Sequence, residues 1–309
     1  MAAKFPSREK AGLLWVIEIE IGPEQGGIVE EILASHDQPY ARWENRDRRH
    51  SVVRLYCGSE NEADGLADSV RNWLYGWNTP PLDPRPVITR RTLPKEDWAE
   101  SWKRNFKTLR ISDRLAIKPT WEIYERQGNE IVLEIDPGMS FGTGQHGTTR
   151  ACLEFMDELS VELGPVSFLD AGCGSGILSL AAVKLGFGPV YAFDHDPGAV
   201  GVAQEHLASL PNTAPVTITC NDVEEYKPPQ PCRLVIANIL AVVLLRHAEK
   251  IVSFLRHDNE SSYLVLSGIL IKQYPEIKQR FTALGLEQKA VRCIDEWKTG
   301  CFVLPGKNA

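Results

Sequence analysis

The chain has 309 residues, 43% hydrophobic and 24% charged, a composition that allows two domains and a substantial core. No apolar run approaches the roughly 18 residues a membrane helix needs, and the opening MAAKFPSREKAG lacks the apolar stretch of a secretory signal. The net charge of −7 arises entirely after residue 110: the first 110 residues carry 17 Lys+Arg and 17 Asp+Glu, the rest 17 and 24. An acidic body favours a basic protein partner, with neither a membrane nor a specific nucleic acid expected. Seven cysteines stand singly, with no C-x-x-C pair, which predicts no structural metal and a reducing, cytoplasmic setting.

Residues 13–21, LLWVIEIEI, alternate apolar and acidic from Val16 onward, the pattern of a half-buried strand. A helix is predicted over 23–36, strands near 39–44 and 50–57, an amphipathic helix over 61–77 and a last strand in RPVITRRTL at 85–93. The order β-α-β-β-α-β is ferredoxin-like and predicts an independent α+β domain over 1–92. The locally basic run RWENRDRRHSVVR, 42–54, reads as a solvated hairpin face. Four prolines in NTPPLDPRP, 78–86, break any helix there, in a linker or in the loop before the last strand. PKEDWAESWKRNF, 94–106, predicts a short helix with Trp98 and Trp102 one turn apart, expected to pack between domains within a linker region at 93–120.

From 121 to 309 strands and helices alternate. Strands are predicted at 131–135, 166–170, 189–194, 215–220, 232–237, 262–267, 286–294 and 299–304; helices at 148–159, 175–186, 197–209, 240–256 and 272–284. Continuous apolar strands separated by helices predict a mostly parallel sheet covered on both faces. The last two strands leave no room for a helix between them and are predicted to form an antiparallel hairpin at a sheet edge.

Two glycine loops carry the chemistry. VSFLDAGCGSGILSLAAVKLG is a strand, a turn with Gly172, Gly174 and Gly176, and a helix. Such a turn brings backbone close to a ligand and aims free N–H groups at it. The spacing is G-x-G-x-G, with Ile177 at the place of the third dinucleotide glycine. Asp170 ends this strand, Asp194 ends the next, and Asp222 follows the third. An acid after the second strand suits the two hydroxyls of a ribose, and Asp222 stands where an adenine amino group would lie. Each acid alone fits a turn or helix cap; three at successive strand ends describe a nucleoside cleft. With the terminal hairpin, this arrangement resembles the class I S-adenosylmethionine (SAM) methyltransferase fold. The other loop, DPGMSFGTGQHGTTR at 136–150, has P-loop spacing from Gly142 to Thr149, but Thr148 replaces the lysine.

DPGMSFGTGQHGTTRACLEF, LDAGCGSGILSLAAVKLG and IANILA, in this order, with EDWAESWKRNFKTLRISDRLAIKPTWE before them and LSGIL at 266–270 after, resemble the ribosomal protein L11 methyltransferase (PrmA) family. The likeness is close over roughly residues 94–304 and weaker over 1–90. It implies a SAM-dependent protein methyltransferase acting on lysine or N-terminal amines of L11, free or ribosome-bound, with the small domain recognising the substrate and the chain a monomer. It places Thr149, Gly172, Asp194 and Asn238 on the cofactor; the glycine loops and strand-end acids themselves add Gly144, Gly174, Asp170 and Asp222 as candidate cofactor contacts. Loop 136–150 then serves as a lid and positioning loop, and the absent lysine fits a ligand without phosphate.

A lysine amine, of reference pKa about 10.4, must lose its proton before it attacks a sulfonium methyl. The side-chain carbonyl of Asn238 and neighbouring backbone carbonyls are candidates to aim the nitrogen, with proximity supplying most of the rate. His146 is a candidate helper or an ordinary loop histidine. Two positions depart from the family: Gly147 stands where it has proline, and Val242-Val243 where it has Gly-Pro. NILA also lacks the aromatic of the N-P-P-aromatic motif, and Phe141 is the expected substitute wall for the methyl group. Alternative readings are a lysine methyltransferase of another protein, such as the electron-transfer flavoprotein β subunit, a NAD-dependent oxidoreductase, or a non-catalytic ribosome-binding protein.

Overall fold

A computed structural model describes residues 13–22, 25–34, 36, 38, 40–45, 50–75, 82, 85–94, 107–136, 146–208, 210 and 216–307. The chain divides into two compact units, Met1–Phe106 and Lys107–Ala309. The division falls inside the segment 93–120 read as a linker. The helix expected at 94–106, with Trp98 and Trp102, lies outside the described residues.

The first unit runs β1 (Leu13–Ile21), α1 (Gly26–Ala34), β2 (Ala41–Asn45), β3 (His50–Cys57), α2 (Glu60–Tyr75) and β4 (Val87–Pro94). Its sheet has the order β2-β3-β1-β4 with every pair antiparallel, the ferredoxin-like arrangement that the alternation predicts. Ile17, Ile19 and Ile21 of β1 pack with Val53 and Leu55 of β3 beneath Val29, Leu33, Ala67 and Val70 of the helices. Glu18, on the other face, is buried between Arg54 (2.8 Å) and Arg91 (2.9 Å), so the basic run contributes Arg54 to an ion pair. Residues 46–49 of that run lie outside the described residues.

The second unit opens with β5 (Leu109–Arg110), β6 (Leu115–Lys118) and β7 (Ile131–Glu134), a small separate sheet in which β5 and β6 pair antiparallel and β6 and β7 parallel. The segment expected as linker thus carries two strands, and the strand predicted at 131–135 pairs with them instead of joining the large sheet. Ile111, Leu115, Ile117 and Leu133 of this small sheet enter the main core.

Then follow α3 (Gly147–Leu163), β8 (Phe168–Ala171), α4 (Ile177–Lys184), β9 (Val190–Asp194), α5 (Pro197–Ala208), β10 (Val216–Cys220), β11 (Leu234–Asn238), α6 (Ala241–Arg246), α7 (Ala248–Val252), β12 (Ser262–Ser267), α8 (Tyr274–Ala283), β13 (Glu287–Ile294) and β14 (Trp297–Leu304). The helix predicted over 240–256 is two helices, broken at His247, whose φ of −110° and ψ of 24° are not helical. Ala241, Leu244, Ala248 and Ile251 are buried on both sides of the break, so the apolar spacing continues through it and the sequence pattern carries no sign of it.

The large sheet has the order β10-β9-β8-β11-β12-β14-β13. Its first five strands are parallel; β14 runs antiparallel to both neighbours, as the missing helix predicts. Successive residues serve opposite faces: Phe168, Leu234 and Tyr263 pack under α3 and α4, Leu169, Val235 and Leu264 under α6 and α8. From β8 the chain winds outward to β10, then returns to β11 on the other side of β8. This reversal opens a crevice at the carboxyl ends of β8 and β11, the place where open α/β sheets bind ligands.

Candidate active site

The turn after β8 forms the floor of that crevice. Gly172 has φ +78°, and a Cβ there would lie 2.3 Å from Ile239 Cγ2. Any side chain here would have to displace that of Ile239, so the backbone passes directly beneath the residue that follows Asn238. His206 of α5 donates from Nδ1 to the Ser175 carbonyl at 2.7 Å, bracing the turn and placing that ring's proton on Nδ1.

Asp194, at the end of β9, is 8% exposed. Gly174 N–H donates to its Oδ2 at 2.8 Å and Asp196 N–H to its Oδ1 at 3.0 Å, while His195 Nδ1 lies 3.3 Å from Oδ1. A carboxylate accepts about four hydrogen bonds, which leaves capacity for ligand hydroxyls. Asp170 is fully buried and accepts from Ser179 Oγ at 2.7 Å through Oδ2, while its Oδ1 has no partner. Burial lifts the Asp170 carboxyl to about 7; the Ser179 hydrogen bond opposes that shift and the nearby Asp194 charge adds to it.

Thr149 is the third residue of α3, 1% exposed, among the first-turn N–H groups that have no helical partner. Its Oγ1 receives a long hydrogen bond, 3.5 Å, from Asn238 Nδ2 at the end of β11. The other end of that amide, Asn238 Oδ1, is buried with no partner. A buried carbonyl without a donor costs roughly 1–3 kcal/mol, so this oxygen is set up for an N–H that arrives from outside.

The structure therefore brings Asp170, Gly172, Gly174, Asp194, Thr149 and Asn238 to one edge. Asp222 follows β10 on the same edge; it is exposed, and its Oδ1 accepts from Glu224 N–H at 2.8 Å, as in a capped turn. Its neighbour Asn221 donates its N–H to the Asp194 carbonyl at 2.8 Å, tying the two strand ends together. Phe141 and Gly144 lie outside the described residues.

His146 is the residue before α3, with no side-chain bond to the helix N–H groups; its Nδ1 lies 2.8 Å from Thr148 Oγ1 and its ring 4.9 Å from that of Trp297. Of the two departures, Gly147 meets Ile294, whose Cγ2 would stand 3.0 Å from an added Cβ, and Val242 is 52% exposed at the start of α6. Burial pushes the Cys152 thiol up to about 12 and raises that of Cys173 as well, so both stay protonated and neither acts as a nucleophile.

Sequence reasoning did not assign Ser179, Gly268, Ser267 or Thr299. Ser179 had a signal: a lone hydroxyl within the apolar helix ILSLAAVK, where a buried serine needs a partner. The serine and glycine of LSGIL entered only as part of a resemblance.

Residues 23–303 match the family model described as ribosomal protein L11 methyltransferase (PrmA). The chain is 40% identical to the ribosomal protein L11 methyltransferase of Pelobacter propionicus, covering 80% of this chain and 79% of that one. To the enzyme of the same name from Chloroflexus aurantiacus it is 32% identical, covering 91% and 95%. The crystal structure of a ribosomal protein L11 methylase from Lactobacillus delbrueckii subsp. bulgaricus aligns with a TM-score of 0.56 at 28% identity, over 65% of this chain and all of that one. Fold, crevice and these likenesses agree: the chain belongs to the ribosomal protein L11 methyltransferase (PrmA) family of SAM-dependent enzymes.

Proposed function

We propose that this chain methylates lysine side chains and the N-terminal amine of ribosomal protein L11 in the cytoplasm, acting as a monomer, with Met1–Phe106 as the substrate-recognition unit. The observation that supports this reading most is the buried, unpartnered Asn238 Oδ1 beside the glycine turn. The loop 136–150 is assigned the role of lid and positioning loop, Gly144 that of a cofactor contact and Phe141 that of a wall for the methyl group.

The residues present suit SAM. Gly172 and Gly174 would let SAM approach the backbone, Asp194 would accept from the ribose hydroxyls, and the first turn of α3 with Thr149 would take the methionine carboxylate. Asp170 Oδ1, buried without a donor, would accept from the α-ammonium group, and Asp222 from the adenine amine. When bound, SAM supplies an electrophilic methyl group on a sulfonium sulfur. Asn238 accepts an N–H of the incoming neutral amine and so turns the nitrogen lone pair toward that methyl. The acids Asp194 and Asp222 at the crevice favour cationic groups there, and the remaining rate comes from holding the two reactants in line.

Mass spectrometry of L11 from a strain lacking this gene tests the assignment. Loss of the L11 methyl groups, with the electron-transfer flavoprotein β subunit unchanged, is the expected result; a fully methylated L11 overturns it.

A further inference from the structure

Ser267 ends β12, Gly268 follows it, and neither takes part in a step described so far. Ser267 is fully buried and Thr299, on β14, is 1% exposed. The Ser267 hydroxyl lies 3.2 Å from the Thr148 carbonyl and 2.7 Å from Thr299 Oγ1. A carbonyl only accepts, so the single Ser267 proton goes to Thr148 O, and Thr299 donates to Ser267 in turn. This relay ties two sheet strands to the first turn of α3. The next residue on that turn is Thr149, which meets Asn238.

Gly268 touches the other wall. Its φ is +77°, and a Cβ would lie 2.4 Å from the Ile239 carbonyl oxygen, 2.9 Å from its carbon and 3.2 Å from its nitrogen. These are backbone atoms and have no rotamer by which to move aside. Ile239 follows Asn238 directly, so the path of the chain out of β11 rests on the missing side chain at 268. The last residue of β12 and the glycine that follows it thus brace the two separate groups, Thr149 and Asn238.

We propose that Ser267 and Gly268 are a positioning pair, in which Ser267 sets Thr149 for cofactor affinity and Gly268 sets Asn238 for amine alignment. The proposal rests on the assignment of those two roles above. It predicts a split that a merely structural role does not give: the hydroxyl relay governs SAM binding, and the glycine governs turnover.

The test uses the full chain, with SAM affinity by calorimetry, kcat on L11 at saturating SAM, and Tm. In S267A/T299V both hydroxyls become apolar together, which leaves only the weakly polar Cys152 thiol without its Ser267 partner, so Tm stays near wild type. The SAM Kd is expected to rise about fivefold, the weight of one net hydrogen bond, with kcat within about twofold. T299S keeps the hydroxyl and restores wild-type affinity. G268A is expected to lose about tenfold in kcat, equivalent to one power of ten in transition-state stabilisation, while SAM Kd stays within about twofold. A wild-type SAM Kd in S267A/T299V, or equal losses of affinity and turnover in both variants, overturns the pairing. The double variant decides the relay whether or not G268A folds. A wild-type protein that binds SAM but leaves L11 unmethylated refutes the substrate assignment and leaves the Kd comparison standing.

Discussion

Asn238→Ala separates stability from activity. The variant removes a buried carbonyl that has no donor, whose desolvation costs the native state roughly 1–3 kcal/mol. It also removes the bond to Thr149, which at 3.5 Å is at the limit of a hydrogen bond, and some packing. The balance is a protein as stable as the wild type or more stable by about 1 kcal/mol, which for a unit of this size is a rise in Tm of about 2–4 °C. Turnover goes the other way. Loss of one preorganised polar group aimed at the reacting atoms typically costs about 10²–10³ in kcat. Calorimetric melting and single-turnover methyl transfer at saturating SAM read the two quantities separately. A lowered Tm together with a kcat within about twofold of wild type would refute the reasoning, because it would make Asn238 a structural residue with its amide satisfied.

Three further outcomes follow from the same geometry. Gly172→Ala places a Cβ 2.3 Å from Ile239 Cγ2 at a φ of +78°, against a β-branched side chain that turns poorly. Left-handed backbone costs roughly 1–2 kcal/mol and overpacking about 1–3 kcal/mol, so SAM affinity should fall by about a hundredfold or more; a Kd within threefold contradicts the close approach. Asp170, lifted to about 7 in the folded chain, holds its proton there over a range in which the unfolded carboxyl has lost it. Its contribution to stability is therefore fully present below the ordinary carboxylate range and is lost as pH rises toward 7. Asp170→Asn should gain Tm relative to wild type at pH 8 but not at pH 4, with weaker SAM binding at both; a Tm difference that does not change with pH rejects the buried-acid reading. His146→Ala loses the Thr148 contact and the Trp297 ring contact, which predicts a loss of about 1 kcal/mol in stability with kcat within fivefold. A hundredfold loss of kcat would make the imidazole a participant in proton transfer.

Much of this was legible in the sequence because parallel strands buried on both faces are continuous apolar runs. VSFLD, VYAFD and RLVIA read as β8, β9 and β11, and the acids and the Asn that end or follow them lie at the crevice. The hairpin of β13 and β14 followed from chain length alone. Local pattern failed where pairing partners are distant or short. β5 and β6 together hold six strand residues among charged ones, and only their pairing with β7 marks them as a sheet. The break at His247 has no proline or glycine beside it. The Ser267–Thr299 relay joins hydroxyls 32 residues apart, a relation that appears once β14 lies beside β12. The three acids were expected as one set, and the structure differentiates them: Asp170 fully buried, Asp194 wired to the glycine turn, Asp222 exposed with one oxygen on its own turn.

Incubation of the purified 309-residue protein with labelled SAM and free L11, followed by mapping of the methylated residues, tests directly whether this chain methylates L11. Label is expected on L11 amines, lysine side chains or the N-terminus, with transfer falling about a hundredfold or more in Asn238→Ala. SAM binding without label on L11, or label that is undiminished in Asn238→Ala, would contradict it.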